Sequence, residues 1–228
     1  MLERRAQADE LMDDPELDAK TYAAVLGDLA QVNTVTMARR PTLNFLKRAV
    51  GERPAFSLLD VGFGDGDMLR AIARWARGRG QTARLTGIDL NPCSAKIASA
   101  KTDKDVPIEY RTGDYAALAD GGFDCIVSSL VAHHMTRAEL VGFVRFMESE
   151  ARTGWFVNDL HRHGAAYLGY PVLARLARWH EIVRHDGQLS IARSYRPDEW
   201  APILADAGVT QASVERVFPF RLCVSRVK

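Results

Sequence analysis

The 228-residue sequence has only three cysteines, Cys93, Cys125 and Cys223, and no C-x-x-C pair. An odd, scattered set excludes a disulfide framework as the main support of the fold and offers no zinc ribbon. A reducing cytoplasm is the expected compartment. No apolar run approaches the roughly 18 residues that a bilayer crossing needs. The opening MLERRAQADELMDD lacks the charged-then-apolar layout of a secretory signal. No membrane span is expected. An excess of charge is missing as well: 30 Lys and Arg stand against 29 Asp and Glu, and the basic residues are spread through helical stretches. That pattern leaves no electrostatic footprint for nucleic acid. Nor is there an internal repeat or a low-complexity tract. With 47% hydrophobic residues the chain can bury one sizeable core, and one domain over 1–228 is expected.

What is present falls into two textures. Residues 1–50 contain no convincing strand. Leu11, Leu17, Tyr22, Val25, Leu26 and Leu29 recur at helical intervals, and a second run holds Leu43, Phe45, Leu46, Ala49 and Val50. Two or three helices are expected there, closed by Gly51 and Pro54. From Phe56 onward β-rich runs (FSLLDV, ARLTGIDL, PIEYRTGD, FDCIVSSL, GWFVNDL) alternate with helical stretches at 67–77, 92–101 and 136–150. Such alternation is the signature of right-handed βαβ units and a parallel sheet covered on both faces. Thr136 with Glu139 reads as a capping box, and Asn91-Pro92 as an N-cap with proline in the first turn. A helical insertion is expected over about 164–183, with Pro171 starting or kinking it. A further helix and two β-rich runs, QASVERVF and RLCVSRV, close the chain as a hairpin. The expected class is α/β: a Rossmann-like, seven-stranded, mostly parallel sheet with an antiparallel C-terminal hairpin and a helical N-terminal lid.

The first strand runs into Asp60-Val-Gly62-Phe-Gly64-Asp65-Gly66. In an open parallel sheet ligands bind beyond the carboxyl ends of the strands, where this loop falls. Glycine permits positive-φ turns and removes the Cβ that would hold a ligand away from the backbone. The dinucleotide pattern G-x-G-x-x-G fails at its third glycine, which is Asp67, and no Gly-Lys-Ser/Thr follows as a phosphate loop requires. Acids around the loop repel a pyrophosphate and suit a ligand carrying positive charge.

This D-x-G-x-G-x-G segment resembles the first motif of class I S-adenosylmethionine-dependent methyltransferases, and the order of elements is similar from about residue 56 to the end. The resemblance implies S-adenosyl-L-methionine as cofactor, with Gly62, Gly64 and Gly66 under its amino-acid end. Asp60 would meet its ammonium or a water. Asp89, 23 residues after Gly66, would take the ribose hydroxyls, since a carboxylate can accept from both hydroxyls of a diol. Asp114 would meet the adenine amino group. Their neighbours Leu90 and Tyr115, and Ser128 at the end of the fourth strand, complete the expected cofactor set. Each acid also has a plain structural use, Asp89 as a helix N-terminal acid and Asp114 in a turn.

After the fourth strand comes Ser128-Ser129-Leu130-Val131-Ala132-His133-His134-Met135, without the Asn/Asp-Pro-Pro-Tyr/Phe segment of enzymes that methylate base or amide nitrogens. It resembles small-molecule methyltransferases of the quinone and polyketide type. That likeness implies a small aromatic or polyketide-like acceptor, methylated at oxygen, with carbon second. A histidine near its ordinary pKa is a natural base for a hydroxyl proton. His134 and His161 are the candidates, and a packing or helix-capping imidazole is the plain alternative for His133 or His134. The acids that hold magnesium in catechol-type enzymes are absent, so no metal is expected. The pair His161-x-His163 near Asp159 is the one alternative. Tyr22, Phe45, Tyr167, Tyr170, Leu173, Leu176 and Trp179 are candidates to line an acceptor pocket, and Asn33, Arg39 and Arg40 to meet an acidic group. A nicotinamide oxidoreductase and a non-catalytic cofactor binder are the rival functions. The oligomeric state is not legible.

Overall fold

A computed structural model describes residues 2–228. The chain starts with an extended segment and a short 3-10 turn, Leu11–Asp13. Two helices follow, α1 (Ala19–Val35) and α2 (Arg39–Val50), as the apolar spacing requires. The alternating part then runs β1 (Ala55–Val61), α3 (Asp67–Gly78), β2 (Thr82–Asp89), α4 (Pro92–Ala100), β3 (Ile108–Thr112), β4 (Cys125–Ser129), α5 (Arg137–Glu150) and β5 (Gly154–Leu160). Beyond it lie α6 (Gly164–Leu176), α7 (Glu181–Arg193), α8 (Pro197–Asp206), β6 (Ser213–Val217) and β7 (Arg221–Val227).

The seven strands form one sheet in the order β3-β2-β1-β4-β5-β7-β6. All neighbours are parallel except β7, which runs antiparallel to both β5 and β6. The expected topology is the observed one. Central strands read as near-continuous apolar runs because helices cover both faces: Leu58, Leu59, Cys125, Ile126 and Trp155 have no exposed surface. Each such buried side chain stabilises the fold by about 1.5–3 kcal/mol. Both expected helix starts are present. Thr136 and Glu139 cap each other's backbone amides, and the Asn91 side chain accepts from Cys93 N at the start of α4.

One expectation needs correction. The insertion does not end near residue 183; it is a helical hairpin of α6 and α7 that reaches Arg193. The polar run RHDGQLS hides the second helix because half of its buried residues are polar: Asp186, Ser190 and Arg193 are buried beside Ile182, Val183 and Ile191. Gly187 permits the contact, since any Cβ there would overlap the ring of Tyr170. Of the two roles expected for Pro171, a helix start is excluded, because it lies inside α6.

The chain reverses direction across the sheet between β1 and β4, and the switch-point crevice opens there. Above it sit α1, the 3-10 turn and the α6–α7 hairpin. Asp186 ties the turn down by accepting from Leu11 N at 3.0 Å and Met12 N at 2.9 Å. The N-terminal segment thus reaches the crevice held by α7.

Candidate active site

A cavity of about 860 Å³ fills the crevice and extends under the lid. Its floor is the loop after β1. Gly62, Gly64 and Gly66 all have positive φ, at 77°, 56° and 78°. A Cβ on Gly62 would overlap Val131 Cγ2, and one on Gly66 would stand 2.6 Å from Tyr110 Oη. These two positions require glycine for both backbone and space.

The acids of the loop differ in their pairing. Asp65 accepts from Lys101 Nζ at 2.8 Å, and Asp67 pairs with Arg39 at 2.9 Å. Asp60 is 1% exposed and neither carboxylate oxygen has a partner. Burial, with Asp67 and Asp89 adding repulsion, holds its pKa well above the carboxylate range. A buried acid left so costs free energy unless a ligand completes it. Asp89 lies at the tip of β2, where its two oxygens accept from Gly64 N and Asn91 N, both at 2.9 Å. Those bonds fix its orientation and leave lone pairs for a further donor. Asp114 accepts from Ala116 N at 2.8 Å, so it caps a turn while standing exposed at the cavity wall. Leu90 projects into solvent at the rim, and Tyr115 packs on Phe143 and Phe146.

Ser128 is placed differently from the expectation. Its hydroxyl donates to Val61 O at 3.0 Å within the sheet, and the cavity wall belongs to Ser129. Strand alternation decides this, because successive side chains point to opposite faces. The Ser129 hydroxyl is buried and unpartnered, as are Asn33 Oδ1 and Arg221 Nη1, all on the same wall. Of six such orphaned atoms among the described residues, five belong to this cavity. Native proteins leave few buried polar atoms unpaired, so this concentration marks a ligand site.

At the far end the chain leaves β4 through Leu130, which has φ 62°. The reversal drops residues 132–134 into a 3-10 turn and brings His133 against β5. Asp159 accepts there from His133 N at 2.8 Å, and its other oxygen lies 2.7 Å from His133 Nδ1. Glu10 Oε1 approaches His133 Nε2 at 3.5 Å. Burial opposes charge on this imidazole, but Asp159 and then Glu10 overcome it and push its pKa up to about 9. His134 faces the cavity beside it, with Nδ1 2.9 Å from Asp13 Oδ2. Arg5 donates to the carbonyls of His133 and Met135, and Arg193 to that of His134. These contacts pin the turn.

Of the two candidate histidines, only His134 meets the cavity. His161 is displaced to a separate hollow of about 380 Å³ with His163, Arg162, Arg196 and Arg216, because the chain turns outward after β5. Burial and the arginines lower its pKa. The same guanidinium groups make the His161-x-His163 pair unfit for a metal ion. Among the aromatic and apolar lid residues, Tyr22, Tyr170 and Leu173 line the cavity. Phe45 stacks on Phe156 in the core, Trp179 is buried against Tyr170, and Leu176 is exposed. Arg39 is engaged by Asp67, and Arg40 points outward. The arginine that reaches the cavity is Arg221.

Sequence reasoning did not find Glu10, Asp13 or Arg221, and it did not choose His133 among its catalytic candidates. Nothing in a lone ELMDD run announces that α7 will carry it to the crevice. Asp159 had a signal: it follows Asn158, whose amide donates to Ala38 O at 2.7 Å, so alternation turns Asp159 to the opposite face of the sheet, where it meets His133.

Residues 58–154 match a family described as a methyltransferase domain. The matched stretch is a little under half of the chain. The match carries the glycine loop and the acids at the first strand ends, and it bears out the expected class, an S-adenosylmethionine-dependent methyltransferase. A comparison with curated protein sequences gives no match. Solved structures similar to the whole chain include magnesium protoporphyrin IX methyltransferase from Synechocystis with bound S-adenosylhomocysteine. It has 15% identity and a TM-score of 0.58, over 94% of this chain and 90% of that one. The plantazolicin methyltransferase BpumL, in complex with a substrate analogue and S-adenosylhomocysteine, has 12% identity and a TM-score of 0.67, over 92% and 96%. A methyltransferase from Aquifex aeolicus has 17% identity and a TM-score of 0.64, over 92% and 98%. At such identities the likeness establishes the fold.

The residues of the domain fit the cofactor. Bare backbone, an uncompensated buried acid and an oriented strand-end carboxylate suit a group that carries a cation, an amino acid and a diol. Asp60 and Arg221 are both buried and both line this cavity, so it offers groups of opposite charge to a zwitterion. Arg221→Met is expected to weaken S-adenosylhomocysteine binding by about tenfold or more, the worth of one hydrogen bond to a charged group. Titration calorimetry checks this, and an unchanged Kd removes Arg221 from the cofactor site.

Proposed function

We propose that the protein transfers the methyl group of S-adenosylmethionine to a hydroxyl oxygen of a small aromatic or polyketide-like acceptor. The observation that carries this reading is one continuous cavity lined both by the unpartnered Asp60 and by His134, which Asp13 orients. Its volume is within the range of small-molecule sites. Much of the remaining lining is apolar, from Val25, Leu26, Leu29 and Leu173. Lid helices roof it, which suits a small acceptor and keeps water from the reaction. The named substrates of similar structures, magnesium protoporphyrin IX and plantazolicin, agree in kind.

When bound, the cofactor supplies a sulfonium methyl group for in-line displacement. Asp60, the three glycines and Asp89 would hold it. Tyr170, Leu173 and the α1 side chains orient the acceptor, and alignment of this kind can contribute about 7–11 kcal/mol. His133 is already charged between Asp159 and Glu10, so the proton of the acceptor hydroxyl goes to His134 Nε2, which faces the cavity. A phenol ionised there is nucleophilic at oxygen and at ring carbon, and the apolar wall selects between them.

The test has two parts. S-adenosylhomocysteine, but not NAD or ATP, is expected to raise the melting temperature, because a ligand of the folded state stabilises it. A panel of phenols and quinols with S-adenosylmethionine then yields methylated product, whose NMR spectrum identifies the atom. A response to NADH alone would restore the oxidoreductase reading. Cofactor binding without turnover on any acceptor would favour a binding module.

A further inference from the structure

The turn after β4 and the N-terminal segment bring Glu10, His133 and His134 together, with their potential metal-ligating atoms within 4.8 Å of one another. Glu10 presents one oxygen to each ring: Oε1 lies 3.5 Å from His133 Nε2 and Oε2 3.8 Å from His134 Nε2. Ligands around a tetrahedral ion at roughly 2.0–2.1 Å stand about 3.4 Å apart. Small side-chain shifts would bring the three groups onto one ion.

The far nitrogens are engaged in matching ways. His133 Nδ1 lies 2.7 Å from Asp159 and His134 Nδ1 lies 2.9 Å from Asp13. A carboxylate on Nδ1 fixes the ring and raises the basicity of Nε2, the outer shell that accompanies metal-bound histidine, and an ion that binds His133 displaces its Nε2 proton to solvent. Two adjacent histidines share this arrangement, with both Nε2 atoms aimed at the same carboxylate. Three carboxylates, Glu10, Asp13 and Asp159, surround the two imidazoles, Glu10 Oε1 also accepts from Ser190 Oγ at 2.8 Å, and Arg193 and Arg221 act on Asp13 and Asp159.

We propose that Glu10, His133 and His134 bind a divalent transition-metal ion. Two imidazole nitrogens and one carboxylate suit Zn²⁺ and are poor for Mg²⁺, which prefers oxygen. This departs from the sequence expectation of no metal. The ion's open positions face the acceptor cavity and take an anionic oxygen of the acceptor. That role rests on the methyl-transfer reading, and with the ion seated it replaces His134 as the group that favours the ionised hydroxyl. Binding of the ion does not rest on that reading.

The experiment is calorimetric titration of the full chain with ZnCl₂, with and without saturating S-adenosylhomocysteine, alongside metal content after dialysis. One Zn²⁺ per chain is expected. Glu10→Gln and His134→Ala each abolish binding, and His134 is partly exposed, so its removal leaves the fold intact by circular dichroism. Asp13→Asn keeps all three ligands and weakens binding by about 10–100-fold. A wild-type chain that takes up no stoichiometric Zn²⁺, or uptake that survives in the Glu10→Gln, His134→Ala double variant, overturns the proposal. Titration of the cofactor product in the same samples reads the methyltransferase site separately: its failure with Zn²⁺ still bound would sink the methyl-transfer reading alone.

Discussion

Replacing Asp60 by asparagine is expected to weaken S-adenosylhomocysteine binding by roughly 30-fold or more while raising the melting temperature of the ligand-free protein. Both effects come from the same fact. Asp60 is buried beneath the glycine loop with two unpartnered oxygens, so in the free protein it is an acid that solvent no longer stabilises. Asparagine has nearly the same shape and keeps a buried polar group, but it carries no charge, so the penalty of ionising an unpartnered buried acid, about 1–3 kcal/mol, is removed. At this chain length that is about 2–4 °C per kcal/mol. With ligand the sign inverts. A cationic group that would have met the carboxylate is left buried without a partner, which costs about 2–5 kcal/mol, or roughly 30-fold to several thousand-fold in Kd.

The pH dependence follows from the direction of the shift. Burial raises the Asp60 pKa well above its unfolded value. Its contribution is therefore fully present below about pH 4, the unfolded value, and is lost as pH rises through the folded-state pKa. The gap between variant and wild type should open from acidic toward neutral and alkaline pH in thermal melts without ligand. A variant that binds S-adenosylhomocysteine as tightly as wild type would show that Asp60 only closes the loop.

This acid also shows how far the sequence could be read. Asp60, the glycines and Asp89 were legible because their chemistry is local: a strand end, a positive-φ turn and a carboxylate within a few residues of each other. The sheet was legible for a related reason. Strands buried on both faces are apolar throughout, and the helices between them carry their own caps at Thr136 and Asn91. What could not be read was placement across the chain. Ser128 and Ser129 differ by one register step, and only the strand's orientation says which meets the cavity. His161 lies one residue past β5, yet the outward turn there takes it away. Glu10 and Asp13 reach the site through α7, whose buried polar residues made it look like a loop. Two of the misses concern side chains whose partners are more than a hundred residues away, Glu10 from His133 and Arg221 from Thr36.

Asp159→Ala is expected to be the most damaging single change at the other end of the cavity, lowering stability by about 3–5 kcal/mol. Asp159 is 5% exposed and accepts from the backbone amide of His133 while facing its Nδ1. The imidazole it faces is 3% exposed and is charged at neutral pH. Removing one member of such a buried pair leaves the other uncompensated, hence the large cost. Arg221, also buried, loses a neighbouring negative charge at the same time. Turnover should fall by about 10²-fold or more, since the His133 ring packs 4.3 Å from that of His134 and holds Glu10 in place. Misplacement of about 1 Å at a reacting centre is sufficient for such a loss. Asp159→Asn separates the two effects. It retains an acceptor for the His133 amide and removes the charge, so the chain should stay folded at 25 °C by circular dichroism while methyl transfer still falls. S-adenosylhomocysteine affinity should fall far less than turnover in this variant, because the glycine loop, Asp60 and Asp89 are untouched and only the charge beside Arg221 changes. Wild-type turnover in Asp159→Asn would mean that the His133 turn is architecture alone, and that acceptor chemistry depends on the lid and on His134.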